Sequence, residues 1–214
     1  MPWELADLPF ARFLERQDTL LDEGAYDCAH FEGLSLEDPQ LRGVTFTECA
    51  ISATTVTGGF FRYSRFNDVW LGSTRWIRTD LSETNWMDAE FVLAALSGVE
   101  AFGSTLRRVS FHNCKFDSVN LRGAVLSDVT FVDCVLRDLD ISEAKLTSVT
   151  FPGSEISGLS LRNAKLKKVD LRQARSIGVS SGVESLSGAT VTNTQLFELA
   201  PVFAHSFGIT VKEL

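Results

Sequence analysis

The chain has 214 residues, 44% of them hydrophobic and 22% charged, with a formal net charge of −8. That is ordinary usage for a single soluble domain and excludes a disordered or membrane-spanning chain. The acidity is uneven: residues 1–38 hold ten acids and two bases, and the remainder balances 18 acids with 18 bases.

Met1 to Leu14 has no cationic leader and no small-residue cleavage site, so the expected location is the cytoplasm with no membrane partner. Pro9 to Asp22 carries one mostly apolar stripe at helical spacing (Phe10, Phe13, Leu14, Gln17, Leu20, Leu21), with Gly24 as a stop. This predicts an N-terminal helical cap over residues 1–25.

From Phe31 to Leu171 every fifth residue is large and apolar, with Ala101 the single small member. A small or β-branched residue stands two positions earlier for most of the run, as in Val44, Cys49, Val109, Cys114, Val119, Ala124, Val129, Cys134, Ala144, Val149, Ala164, Val169 and Ala174. A helix repeats near 3.6 and a half-buried strand at two, so a period of five fits neither and points to a solenoid. Val119-Asn120-Leu121-Arg122-Gly123, Ala164 to Lys168 and Val169 to Gln173 resemble the A(D/N)LXX consensus of the pentapeptide-repeat family. The resemblance implies an all-β fold, a right-handed quadrilateral parallel β-helix with four pentapeptides per coil, here over residues 26–192.

With twenty residues per coil the large positions sort into four columns. The first is Phe31, Ile51, Leu71, Phe91, Phe111, Phe131, Phe151 and Leu171, and the second runs from Leu36 through Trp76 to Ile156. The third runs from Leu41 through Ala101 to Leu161, and the fourth from Phe46 through Trp86 to Leu166. At a strand spacing of about 4.8 Å, roughly seven coils make a rod about 35 Å long. Gly98, Ala101 and Gly103 thin the core locally and suggest a kink or bulge. Cys49, Cys114 and Cys134 fill small inward slots as compact apolar thiols, and Cys114 and Cys134, one coil apart, are expected to stay reduced.

The register fails at about residues 176–185, returns in part at Leu186 and Val191, and gives way after Asn193 to a helical stripe interrupted or restarted at Pro201. Residues 193–214 resemble the terminal helix and short strand of the quinolone-resistance branch, the Qnr and MfpA type. The resemblance implies a homodimer through Leu196, Leu199, Phe203, Phe207, Ile209 and Val211.

Catalytic chemistry finds no support: there is no glycine-rich phosphate loop, no paired CxxC and no nucleophile elbow. His30 and His112 lie about four coils apart, His205 stands alone, and no cofactor or metal is expected. Relatives of the Qnr and MfpA type imitate duplex DNA and dock on DNA gyrase or another type II topoisomerase. The residues available for such mimicry are Glu48, Asp68, Asp80, Glu83, Asp88, Glu100, Asp128, Asp140 and Glu143, projected onto one flank, with Arg108 and Asn120 interrupting the rows. Six cations between Arg162 and Arg175 point in different directions without outward aromatics, so direct nucleic-acid binding is disfavoured. Phe60, Trp70 and Phe102 flank inward positions and form a candidate partner patch. The expected function is a non-enzymatic DNA mimic that modulates a topoisomerase or shields it from inhibitors such as fluoroquinolones. The alternative is a scaffold of the same fold with an unrelated protein partner.

Overall fold

In the computed structural model, which describes residues 2–212, the backbone enters the left-handed region at every fifth residue from Glu23 to Lys168, with φ between 45° and 70°. Each such residue is a corner. A β-branched side chain is a steric outlier at positive φ, and no Val, Ile or Thr occupies any of these corners.

Between corners the chain is extended, with the middle side chain inward and its two neighbours outward. Every inward residue from Phe31 to Leu171 is buried except Leu36 and Leu166, which are half-buried. Rungs pair in parallel with a twenty-residue offset, as in Phe46 with Phe66, Leu126 with Leu146 and Trp76 with Leu96. Faces four and one, named for their columns, share one sheet, and face two forms a second. Face three is joined by single bridges from Gln40 through Phe60, Asp80, Glu100, Asn120 and Asp140 to Ser160. The product is the right-handed four-sided parallel β-helix.

Identical registers stack like on like. Phe46 and Phe66 stack at 4.8 Å, Phe91 and Phe111 at 4.7 Å, and Phe111 and Phe131 at 4.9 Å. These separations match the rise of one coil. The small slots also serve the large ones: Trp76 Nε1 donates to Thr74 Oγ1 at 3.2 Å and Trp86 Nε1 to Thr84 Oγ1 at 2.9 Å. Among the described residues no buried side-chain nitrogen or oxygen lacks a hydrogen-bond partner. Thinning at Ala101 leaves a small apolar void of about 30 Å³ among Leu81, Trp86, Ala101 and Leu121. The bridges Asp80 to Glu100 and Glu100 to Asn120 run past it with the register intact.

The N-terminal segment departs from the predicted helix. It contains single 3-10 turns at Leu5–Asp7 and Ala11–Phe13, then a short strand, Glu15–Arg16, that pairs in parallel with Ala29 and His30. The open edge of the first coil competes for this backbone: Cys28 and His30 carbonyls accept from Glu15 and Gln17 N–H groups. The helical stripe dissolves accordingly, with Leu8 and Phe10 buried against Ala50 and with Phe13 and Leu21 exposed.

At the other end the register slips by one residue, so that Ile177 rather than Ser176 takes the place above Ile156. Phase returns when Val169 pairs with Ala189. The C-terminal helix α1, Asn193–Ser206, starts at a capping box of Thr192 and Gln195 and passes unbroken through Pro201. The carbonyl that Pro201 leaves without a helical donor belongs to Phe197, whose side chain is exposed, so water can satisfy it. The expected strand after Phe207 is absent from the described residues, which end in irregular chain.

Leu93 is a corner residue at φ 57°, with 60% of its surface exposed. We expect Leu93→Asn to be more stable than Leu93→Val by about 1–2 kcal/mol, measured by chemical denaturation, because only the β-branched variant clashes there.

Candidate interaction surfaces

Because inward positions are filled, chemistry is confined to face positions and corners. One corner, between faces four and one, carries Cys28, Glu48, Asp68, Asp88, Arg108, Asp128, Ser148 and Lys168 in successive coils. Four of the nine carboxylates named from sequence share this edge. Glu83 and Glu143 lie on the corner between faces three and four, and Asp80, Glu100 and Asp140 lie on face three. The nine therefore occupy two edges and a face rather than one flank. Between the edges, face four carries the exposed bases Arg65, Arg107, Lys145, Lys165 and Lys167.

Several carboxylates are already occupied. Arg62 pairs with Asp80, Arg122 with Glu143 at 2.5 Å, and Arg108 grips both oxygens of Asp88 at 2.5 and 2.6 Å. Asn120 Nδ2 donates to Glu100 at 2.6 Å. Asp80, Asn120, Asp140 and Asp170 each accept the backbone N–H two residues on, at 2.8 to 3.0 Å. This local turn lock is the physical reason for Asp or Asn just before the large residue, and it gives Asp80 and Asp140 a structural duty.

The first residues form a strap along face one. Trp3 N–H donates to Glu90 at 3.0 Å, and Trp70 Nε1 donates to the Trp3 carbonyl at 3.1 Å. Glu90 also meets His112 Nε2 at 3.2 Å and accepts from Ser110 at 3.4 Å. Strap and acidic corner enclose a groove of about 360 Å³, with Trp3, Leu8 and Phe10 on one wall and Glu48, Asp68, Asp88 and Arg108 on the other. Burial, then the neighbouring Asp88 and Glu48 charges, raise the Asp68 carboxyl above the usual range. The Arg108 hydrogen bonds hold Asp88 below it.

Phe60, Trp70 and Phe102 do not form one patch. Phe60 and Phe102 lie on face three, and Trp70 lies on the opposite face, half-covered by the strap. Of the C-terminal residues, Leu196, Phe207, Ile209 and Val211 are exposed, and Phe203 packs partly on the core. Leu199 is 2% exposed and plugs the end of the core, so it belongs to the cap and not to an interface. Phe197, 78% exposed, joins the outer apolar group instead. Adjacent Leu196 and Phe197 cannot both face inward on a helix, which is the signal that would have found it.

The basic stretch is likewise divided. Arg172 pairs with Asp170 and Arg175 with Asp133, and Lys165 and Lys167 remain on face four. The four cysteines are free thiols. Burial pushes the Cys49 thiol up to about 11. Among the described residues, Asp27, Cys28 and Glu48 bring three ligand-type atoms within 4.8 Å of one another, an approach accounted for by the Cys28 thiol donating to Glu48. No described helix is long and apolar enough to cross a membrane.

Residues 104–175 match the family model described as pentapeptide repeat region. No curated protein matches the sequence. Among solved structures, the plasmid-mediated fluoroquinolone resistance protein QnrB1 is 16% identical, covering 84% of this chain and 99% of its own, with a TM-score of 0.37. HetL, a pentapeptide repeat protein involved in heterocyst differentiation regulation in the cyanobacterium Nostoc, is 16% identical over 81% of this chain and 92% of its own, with a TM-score of 0.35. The A-module of the mannuronan C-5 epimerase AlgE4 of Azotobacter vinelandii is 11% identical over 78% of this chain and 72% of its own, with a TM-score of 0.28.

The two neighbouring acids Asp68 and Asp88 should respond oppositely to neutralisation. A depressed carboxyl contributes stability that is lost as pH falls through its folded value, and a raised one carries a cost that vanishes once it is protonated. In thermal melts at pH 7, Asp88→Asn should lower Tm and Asp68→Asn should hold or raise it. The Asp68 difference should vanish once the pH is below the ordinary aspartate value of about 3.9, and the Asp88 difference should fade only below that, as the pH falls through its depressed folded value.

Proposed function

We propose that the chain is a pentapeptide-repeat protein throughout its coil, of which residues 104–175 match the family model, and that it is a dimeric, non-catalytic interaction protein whose acidic corner is its docking edge for a basic protein surface. The observation that carries this reading is the run Glu48, Asp68, Asp88 in successive coils on one edge of a rigid rod. Successive coils deliver one carboxylate per about 4.8 Å, and duplex DNA offers one charge per about 1.7 Å. One row alone is sparser than DNA, and the second edge at Glu83 and Glu143 adds to it. A type II topoisomerase, DNA gyrase in particular, is the partner that the resemblance nominates. The role would be to modulate the enzyme or shield it from inhibitors such as fluoroquinolones.

The scaffold reading, with an unrelated protein partner, is favoured by one observation: Arg62, Arg108 and Arg122 neutralise part of the acidic display. DNA supercoiling by purified gyrase, with the protein titrated in and with or without a fluoroquinolone, separates the two. Inhibition or drug protection at low micromolar protein, relieved by charge reversal at Asp68, Asp88 and Asp128, is the expected result. No effect across that range would assign the edge to another partner.

Homodimerisation is proposed through the exposed residues Leu196, Phe197, Phe207, Ile209 and Val211 around α1. Single exposed apolar residues are normal on a monomer, whereas five large ones between Leu196 and Val211 are the material of an interface. Leu196→Glu with Phe207→Glu should halve the mass measured by light scattering while leaving the far-ultraviolet dichroism unchanged. A monomeric parent chain would end the dimer reading.

A further inference from the structure

The acidic corner already holds one guanidinium. Arg108 sits in the corner row itself and reaches back one coil to grip both oxygens of Asp88. The equivalent carboxylates in the two preceding coils, Asp68 and Glu48, have no cation within ion-pair distance among the described residues. Both line the same groove, whose floor is Val69 and Ala89 and whose far wall is the strap.

The strap supplies the other half of the site. Trp3 is fixed by main-chain hydrogen bonds on both sides, from its N–H to Glu90 and to its carbonyl from Trp70, yet it is 53% exposed at the groove mouth. The Trp70 ring lies over Gly72 so closely that a Cβ there would meet it at 2.0 Å, so the glycine is what admits the indole. An aromatic held in place but not buried, facing unpaired carboxylates across a cavity, is suited to a planar cation. A guanidinium matches both walls, bonding a carboxylate through its edge and stacking on an indole through its face, which an ammonium cannot do as well.

We propose that the groove between the Trp3–Phe10 strap and the Glu48–Asp68 edge binds an arginine side chain from an extended segment of a partner protein. The arginine takes at Asp68 the place that Arg108 takes at Asp88, with its stem along the strap wall. The proposal rests on the reading of this edge as a docking surface and is independent of which protein docks. Asp68 is an apt recognition group because it is unpaired and open to solvent, with Asp88 and Glu48 crowding like charge beside it. A bound guanidinium relieves that repulsion.

The test is a titration of the intact chain with acetyl-Gly-Arg-Gly-Arg-Gly amide at low ionic strength, followed by tryptophan fluorescence. Trp76 and Trp86 are buried, so a saturable change reports on Trp3 and Trp70. Asp68→Asn should weaken binding about tenfold, the loss expected for one charge-assisted contact. Trp3→Ala should weaken it too, and the lysine counterpart of the peptide should bind several-fold less tightly than the arginine peptide. Asp117→Asn, an equal change of charge on the exposed part of face two, should leave it unchanged. Equal weakening by Asp68→Asn and Asp117→Asn would reduce the effect to long-range attraction and overturn the proposal, as would the absence of saturation. The titration contains no topoisomerase and the supercoiling assay no peptide, so failure of either is read separately.

Discussion

A chain forced through a left-handed turn at every fifth residue has little freedom left. The corner fixes which two of the five side chains point inward, sets the coil at four corners, and places each residue of the regular coils directly above the one twenty positions earlier. Steric cost at positive φ then selects the corner residues, which exclude every β-branched type. Packing, surface and charge distribution all follow from that one backbone constraint.

Stacking at one coil rise rewards some residues and penalises others. Flat aromatic rings gain by it, and Phe66 and Trp86 lie 3.7 Å apart at only 3°. Like charges directly above one another lose by it. The rod therefore breaks its acidic rows, with Arg108 between Asp88 and Asp128 and with Asn120 between Glu100 and Asp140. Those interruptions are what a stable solenoid requires, and they limit how closely any such edge can approach the charge density of a nucleic acid.

Most of the coil was legible in the sequence because its rule is local and repeats. The large and small columns could be read off directly, and Thr74 before Trp76 and Thr84 before Trp86 even anticipate the indole hydrogen bonds. The corners were equally visible as positions without β-branching, yet that signal is an absence and is easily passed over. The strap was illegible for a different reason. Phe10 and Leu14 suit an amphipathic helix, and nothing nearby reveals that their partners are Ala50 and Trp70, or that Trp3 bonds to Glu90 eighty-seven residues away. Consequently the groove, made half by strap and half by corner, was beyond reach, although the twenty-residue coil by itself puts Glu48, Asp68 and Asp88 above one another. The partner patch failed for the opposite reason: Phe60 and Trp70 are close in sequence but half a coil apart, which puts them on opposite faces.

The two ends meet the same problem with different means. At the N-terminus a strand, Glu15–Arg16, satisfies the open edge, and the chain before it turns back along the wall. At the C-terminus Gln195 Nε2 donates to the Leu171 and Ala174 carbonyls at 2.8 and 3.3 Å, and Leu199 closes the core. Those two side chains, with Val202 and Phe203 beside them, are all that a cap needs from its inner face. Leu196 and Phe197 on the outer face, with Phe207, Ile209 and Val211 beyond it, contribute nothing to closing the coil. Leaving them in water forgoes the stabilisation that burying such side chains provides, about 1.5–3 kcal/mol each when complete. In the proposed dimer, a second copy meeting this end across a two-fold axis would bury these side chains on both chains at once.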